Sequence, residues 1–540
     1  MATVHKENFL TDGFNASATF GYNEYSTNSA GVYAYNRSAF RVPDIYSLSN
    51  YTNELQLDVT ETRNDIQSYS YVGLLDLSYK NYLFFQLTGR NDTNSTLPKN
   101  NNSTFYPSLN TSFVFTDAFD LGSASDVISY GTFRFAWGKS ANAADPYLLD
   151  AVYDTGTFGG QTTITRPTEI PPNDLTFQTS KSTEVGFALG LFKNIVNVDF
   201  TYYDILSENQ IMKSAVALSS GASKVIFNSG ALSNKGVEMI IKADVFSTDD
   251  FSWNVSFNAA KNTNKVVSLA EGVEEQQIAT VFGALGAYMK ASPGENYGVI
   301  YGTDFELDDQ GRKQVMNIYN KDGSGEVIGT QYKITSDVVP IGNAAPKLTG
   351  GIGNNFRYKN FRLTTLMDYK LGGDIYSIDH AVAMGSGISP ETAEARNGGG
   401  LAYTYPDGTT DDVGMIMDGY NIDDERANDR VIHPTYYYGI TYAGWSHFNR
   451  ARSLSIFENS WVKMRELSIT YTFPKSLLTK TKIFQTLSLS AVGRNLFYIY
   501  TTLPQHLNPE AINGTGNGQG LQWSAFPSMR TIGFNLKAGF

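Results

Sequence analysis

The chain contains no cysteine. Disulfides and thiolate metal sites are thereby excluded, and an oxidising compartment is suited without being required. Charge is sparse as well: Asp, Glu, Lys and Arg make up 17% of the 540 residues, with a net charge of -12 and a pI near 5.0. A nucleic-acid partner would need a basic face, so that class is set aside. Proline is scarce, at 17 against 49 glycines. No apolar run reaches the roughly 18 residues of a transmembrane helix. The mean hydropathy of -0.26 still admits a membrane-spanning barrel, whose strands carry a polar residue at every second position. The opening MATVHKENFLTDGF lacks the basic and apolar layout of a signal peptide, so a preceding segment is expected.

Aromatic residues are abundant, with 34 tyrosines and 33 phenylalanines, and a period of two recurs. In the closing stretch RTIGFNLKAGF, Ile532, Phe534, Leu536 and Ala538 alternate with Gly533, Asn535, Lys537 and Gly539. The same alternation runs through EVGFALGLF at Val185, Phe187, Leu189 and Leu191, through VNVDFTYY from Val196 to Tyr202, and through VEMIIKADV from Val237 to Val245. Successive strand side chains point to opposite faces, so each segment reads as a strand with one apolar and one polar face. Further candidates lie near 14–22, 69–79, 82–90, 108–116, 127–137, 251–262, 347–357, 361–370, 460–473, 487–497 and 529–540, about 14 strands in all. Each has roughly the ten-residue length that crosses a bilayer at a tilt.

Three turns share one pattern. YKNY at Tyr79–Tyr82, FKNI at Phe192–Ile195 and YKNF at Tyr358–Phe361 each set Lys-Asn between apolar or aromatic residues, as a tight hairpin does. Moderate connections near 117–126, 247–250 and 474–486 complete a short set, while long polar ones fall near 23–68, 91–107, 138–181, 213–233, 266–346, 371–459 and 498–528. Long and short alternate strictly. This predicts an all-β fold: an antiparallel transmembrane β-barrel wall with short periplasmic turns, long extracellular loops and aromatic girdles. The competing architecture is a surface glycan-binding or adhesion module of β-sandwich type, but sandwich loops do not sort by length onto one end. On the barrel reading, Ile532, Phe534, Leu536 and Phe540 form a closing strand whose apolar residues face lipid, with Asn535 and Lys537 toward the lumen.

Specific stretches carry a family resemblance. GRNDTNSTLP at Gly89–Pro98 followed by FYPS at Phe105–Ser108, SNKGVEM at Ser233–Met239, MRELSITYTFPKSLL at Met464–Leu478, VGRNLFYI at Val492–Ile499 and PSMRTIGFNLKAGF at Pro527–Phe540 resemble the SusC/RagA family of TonB-dependent outer-membrane transporters. The resemblance runs from about residue 14 to the end; Thr93 stands where a tryptophan is usual and Asn508 where an aspartate is. It implies a Bacteroidetes outer-membrane chain that imports oligomeric nutrients, glycan or peptide, beneath a SusD-like surface lipoprotein acting as a lid. It also implies a TonB-contact segment and a plug ahead of a barrel of roughly 22 strands. Residues 1–540 would then be one partial barrel domain, the C-terminal part, with plug, TonB-contact segment and early strands absent and TonB acting only through the absent segment. Segment 14–22 is expected to be the sheet's end strand, unpaired on its outer side, with no ladder to 531–540.

No enzyme is expected. His5, His380, His433, His447 and His506 show no HExxH spacing, and no Gly-x-Ser-x-Gly elbow is present. No cofactor is expected beyond calcium at one candidate site, NKDGSGE, where Asn320, Asp322 and Ser324 space oxygens like the first half of a calcium loop. Gln331 stands where that loop's closing glutamate would be, and the competing reading is a Gly-rich turn. Ligand contact should come from HPTYYYGITYAGWSHF, in which Tyr436, Tyr437, Tyr438, Tyr442, Trp445 and Phe448 offer faces for sugar rings or peptide side chains. The same rings suit packing of the loop or contact with the lid, a reading that outweighs direct substrate contact.

Overall fold

The computed structural model describes residues 1–540 except 54–56, 160, 282–285, 444–449, 505 and 512–515. Fifteen strands form one sheet: β1 (Ala2–Lys6), β2 (Phe14–Asn36), β3 (Leu57–Tyr79), β4 (Leu83–Asn94), β5 (Ser103–Val114), β6 (Ile128–Asn142), β7 (Gln178–Leu191), β8 (Val196–Glu208), β9 (Ala231–Ser247), β10 (Phe251–Ser268), β11 (Leu348–Tyr358), β12 (Phe361–Leu371), β13 (Trp461–Thr472), β14 (Thr486–Thr501) and β15 (Thr531–Gly539). Each strand lies beside its predecessor in chain order. Each of the fourteen alternating segments matches one of β2 to β15, overrunning it by no more than two residues at either end. Short helices α1 (Phe115–Ala118), α2 (Ile378–Gly385), α3 (Pro434–Tyr438) and α4 (Lys475–Thr481) sit in the connections, and among the described residues no helix is long and apolar enough to cross a membrane.

Two compact units are distinguished. The first comprises Met1–Asp120, Thr132–Val185 and Asp204–Leu232. Its register lines up Ala18, Leu75, Leu87 and Leu109 across β2 to β5, and one residue along, on the opposite face, Ser17, Asp76, Gln86 and Asn110. β2 and β3 each run for 23 residues, so most of the segment 23–68 expected as a loop is strand. At ~3.3 Å per residue such strands far exceed the ~30 Å hydrocarbon core. Their distal parts are wet on both faces, so no alternation is enforced there, and Glu24, Asn28, Asp58 and Arg63 are exposed. The expectation that 14–22 is the end strand is also corrected. β1 pairs with it from Ala2 opposite Phe20 to Lys6 opposite Ala16, so β1 is the end strand. Among the described residues no ladder joins 14–22 to 531–540.

The second unit comprises Leu121–Gly131, Gly186–Tyr203 and Ser233–Phe540. Across β10 to β15 one row reads Trp253, Phe356, Leu363, Ile469, Ala491 and Phe534, and the next reads Asn254, Asn355, Thr364, Ser468, Val492 and Gly533. Directly opposed residues share a face, so the first row is apolar and the second mostly polar. Phe534 is 78% exposed and Ile532 71%. Tyr358 pairs directly with Phe361, making Lys359-Asn360 the two-residue hairpin that YKNF announced, with Lys359 at φ 51.

Candidate functional site

In the second unit the connections 269–347, 372–460 and 502–530 fold into small sheets of their own. Strands Gln276–Thr280, Tyr288–Ala291, Val299–Gly302 and Val339–Asn343 form one; Gln314–Tyr319, Val327–Tyr332, Tyr420–Asn421 and Arg426–Ala427 another. Their apolar residues find partners within the loops. Val281, Ala287, Met289, Ile300, Tyr376, Ile378 and Leu521 make one buried cluster, and Val315, Tyr332, Met417 and Ile432 a second.

The tyrosines of the aromatic stretch belong to this packing. Tyr436 and Tyr437 lie against the second cluster, and the Tyr436 ring covers Gly329, where an added Cβ would come within 2.7 Å of it. Tyr437 meets Tyr438 edge to face at 5.0 Å, Tyr438 lies 6.2 Å from Tyr442, and Tyr442 is edge to face with His380 at 5.8 Å. The Tyr438 hydroxyl donates to the Glu391 carbonyl at 3.2 Å. Burial pushes the Tyr442 hydroxyl well above the usual phenol range. Tyr438 is buried and Tyr436, Tyr437 and Tyr442 are half-buried, so each of the four rings has protein partners. Trp445 and Phe448 lie outside the described residues.

Asn320, Asp322 and Ser324 occupy the turn between strands Gln314–Tyr319 and Val327–Tyr332. The Asp322 carboxylate accepts from the Asn320 amide at 3.0 Å and from the Ser324 N–H at 2.8 Å, and the Ser324 hydroxyl accepts from the Glu326 N–H at 3.2 Å. The turn thus uses these oxygens to hold itself. Gln331 points its amide at the Met316 sulfur, 3.4 Å away.

A polar cavity of about 300 Å³ opens where β10, β11 and β12 pass into the loops, lined by Lys261, Asn264, Asn343, Lys347, Asp374 and Glu458 among others. The period-two alternation stops at the strand tips and carries no signal of it. Asp374 accepts from the Asn343 N–H at 2.7 Å, and the Asn343 side chain accepts from the Ala345 N–H at 2.8 Å, so the walls are internally braced. Gly372 and Gly373, at φ 70 and 79, turn the chain at its floor; a Cβ on Gly373 would lie 2.7 Å from the Ala344 carbonyl oxygen. The Asn264 side-chain amide oxygen is buried with no hydrogen-bond partner among the described residues. Amides, ammonium groups and carboxylates in one cavity can bond a ligand rich in both donors and acceptors.

The last long connection is tied down by a charge network. Arg465 on β13 donates to Asp368 of β12 at 2.6 Å, to Asn495 at 2.8 Å and to Glu510 at 2.6 Å. Lys463, 1% exposed, bonds the other Glu510 oxygen. The Tyr498 hydroxyl lies 2.9 Å from the Asn508 side-chain oxygen. Burial alone would raise the Glu510 carboxyl, but the bonds from Arg465 and Lys463 outweigh it and hold the group below the usual carboxylate range. The available signal was Lys463 and Arg465 two apart in a strand, cations needing a carboxylate from elsewhere.

The chain matches a family model described as TonB dependent receptor-like, beta-barrel, over residues 3–496. TonB-dependent receptor P3 of Formosa agariphila is 26% identical over 98% of this chain and 52% of its own length. TonB-dependent receptor SusC of Bacteroides thetaiotaomicron is 23% identical over 58% of this chain and 32% of its own length. The chain spans about half the length of the first of these relatives. The RagAB peptide importer in its open-open state matches with a TM-score of 0.71 at 16% identity, over 100% of this chain and 54% of that one, a likeness of fold.

Proposed function

The chain belongs to the TonB-dependent receptor-like β-barrel family of the outer membrane, with SusC among its relatives, and from that premise we propose that it supplies membrane wall and ligand-facing loops to an importer of oligomeric nutrients. The cavity at the tips of β10, β11 and β12 carries the reading. Its mixed donors and acceptors suit a chain of repeating amides or hydroxyls, so peptide and glycan oligomers are the substrate class, and the RagAB relative in fold is itself a peptide importer. A SusD-like lipoprotein would cover the loops, and a plug and a TonB-contact segment would be provided by a longer protein or a second chain. Transport of this kind needs no covalent chemistry, so no catalytic residue is assigned. The β-sandwich alternative has no support, because one sheet carries all fourteen alternating segments.

The test is uptake of fluorescent oligopeptides and oligosaccharides by cells carrying the complete transporter, intact or with Asn264→Ala and Asn343→Ala together. Slower uptake of one oligomer class at unchanged outer-membrane abundance is expected. Equal uptake of every oligomer with and without the transporter would overturn the proposal.

A further inference from the structure

The connection between β13 and β14, FPKSLLTKTKIFQ at residues 473–485, carries more lysines than the other short connections, in which Lys80, Lys193 and Lys359 each stand alone in a hairpin. It holds Lys475, Lys480 and Lys482 and no acidic residue, whereas the connections around 115–127 and 248–250 hold Asp117, Asp120, Asp126, Asp249 and Asp250. In a chain of net charge -12 this is a local excess of three positive charges. Lys359, on the hairpin between β11 and β12, lies 3.8 Å from Asp250. Lys475, Lys480 and Lys482 are exposed, and among the described residues no carboxylate lies within ion-pair distance of them.

Among the described residues no hydrogen bond engages these ammonium groups. At the C-terminal end of α4 the Thr481 hydroxyl donates to the Leu478 carbonyl at 2.7 Å, and the Thr479 hydroxyl donates to the Lys475 carbonyl at 3.1 Å. Threonines, rather than lysines, therefore satisfy these helix carbonyls. Lys482 adopts φ 54, which turns the chain out of the helix. Leu478, 4% exposed, anchors α4 inward, while Leu477 is 49% and Ile483 60% exposed. Phe484 packs against Phe540 at 5.2 Å, and Phe540 is 76% exposed. The segment thus presents exposed aliphatic groups interleaved with unpaired cations, beside the exposed Phe540 ring. That is the chemistry of a segment lying in a membrane interface, with apolar groups at the acyl boundary and ammonium groups among phosphates.

We propose that residues 473–485 bind the anionic phospholipid headgroups of the leaflet on the short-turn side, Leu477 and Ile483 entering the acyl boundary and Lys475, Lys480 and Lys482 holding the phosphates. The proposal rests on the membrane-spanning sheet and is independent of what the transporter imports.

The test uses the complete transporter in nanodiscs of phosphatidylethanolamine alone or with phosphatidylglycerol, read by hydrogen exchange over 473–485. Slower exchange in the phosphatidylglycerol discs is expected, with the difference reduced on the order of tenfold by K475Q/K480Q/K482Q and retained by the matching arginine variant. Unchanged heat-modifiable migration of both variants shows that folding is intact. Equal exchange in both lipids, or a phosphatidylglycerol effect surviving in the glutamine variant, would overturn the proposal. So would protection seen only when periplasmic protein or a second transporter is added, since the occupant would then be a protein.

Discussion

In the second unit the loops and the strands treat the same kinds of residue in opposite ways. Tyr376, Ile300 and Leu521 in the loops are 0% exposed, while Phe534, Ile532 and Leu536 on β15 are 78%, 71% and 65% exposed. The loops fold in water, so their apolar groups must find one another, and they do so by building small sheets whose inner faces meet. The strands present their apolar row to a bilayer, so those side chains need no protein partner. Burial by protein therefore marks the watery part of this molecule, and exposure of aromatic and aliphatic rows marks the part solvated by lipid.

Removing a ring from the loop cluster should have the largest effect on this contrast. Tyr376→Ala is expected to cost about 3–5 kcal/mol of local stability, because a fully buried ring leaves a cavity. Its hydroxyl has no hydrogen-bond partner among the described residues, so Tyr376→Phe should cost little. Hydrogen exchange of the loop amides, with detergent-gel migration reporting the sheet, separates the two regions. A sheet that melts together with the loops would erase the distinction drawn between them.

On the strands the order of sensitivity should invert. Phe534→Arg is expected to cost roughly 2–4 kcal/mol near mid-membrane, and Asn535→Arg next to nothing. Reversible folding into lipid vesicles measures both. Equal tolerance at the two positions would mean that the apolar row does not face lipid.

These contrasts explain which parts of the structure were legible in the sequence. Two different solvents on the two faces of a strand impose a period of two, so Val185, Ile469 and Phe534 revealed their strands directly. Where both faces meet water the constraint lapses, and the distal parts of β2 and β3 looked like loop. The small loop sheets depend on pairings between distant segments, such as Gln314 beside Tyr420, which leave no local period. The aromatic stretch was legible as chemistry but not as placement, since Tyr436 and Tyr438 suit a ligand and a core equally well. Glu510 was invisible for the same reason as the loop sheets: its partners Lys463 and Arg465 lie about forty-five residues away in sequence.

Glu510 sharpens the comparison at the junction of the two regions. Glu510→Gln should loosen the last long connection by about 1–3 kcal/mol, since two charge-assisted bonds weaken and the buried Lys463 loses its countercharge. The carboxyl is held below its ordinary value in the fold, so its contribution is present above the unfolded pKa and is lost as pH falls through the lowered folded one. Exchange of amides 506–511 against pH should show that loss in acid for the native residue only. A glutamine variant with the same acid profile would assign it to another group.

The smallest expected effect lies in the loops and concerns His380. It is 4% exposed, with its Nδ1 3.1 Å from the Ser455 hydroxyl and its ring edge to face with Phe457 and Tyr442. Burial lowers its pKa below the ordinary 6.5, and the nearby Glu391 only partly opposes this. A lowered folded-state value means that the neutral ring is the one the fold accommodates. Stability is then full above pH 6.5 and declines as pH falls below it, because the unfolded loop takes up a proton that the folded loop resists. Asp379, the adjacent carboxylate, accepts from the Ser524 N–H at 2.9 Å. Mild acid should therefore speed exchange in α2 and around Ser455 while β10 to β15 stay protected, and His380→Gln should flatten that pH dependence. Acid loosening of the strands at the same pH would show that the two regions do not respond separately.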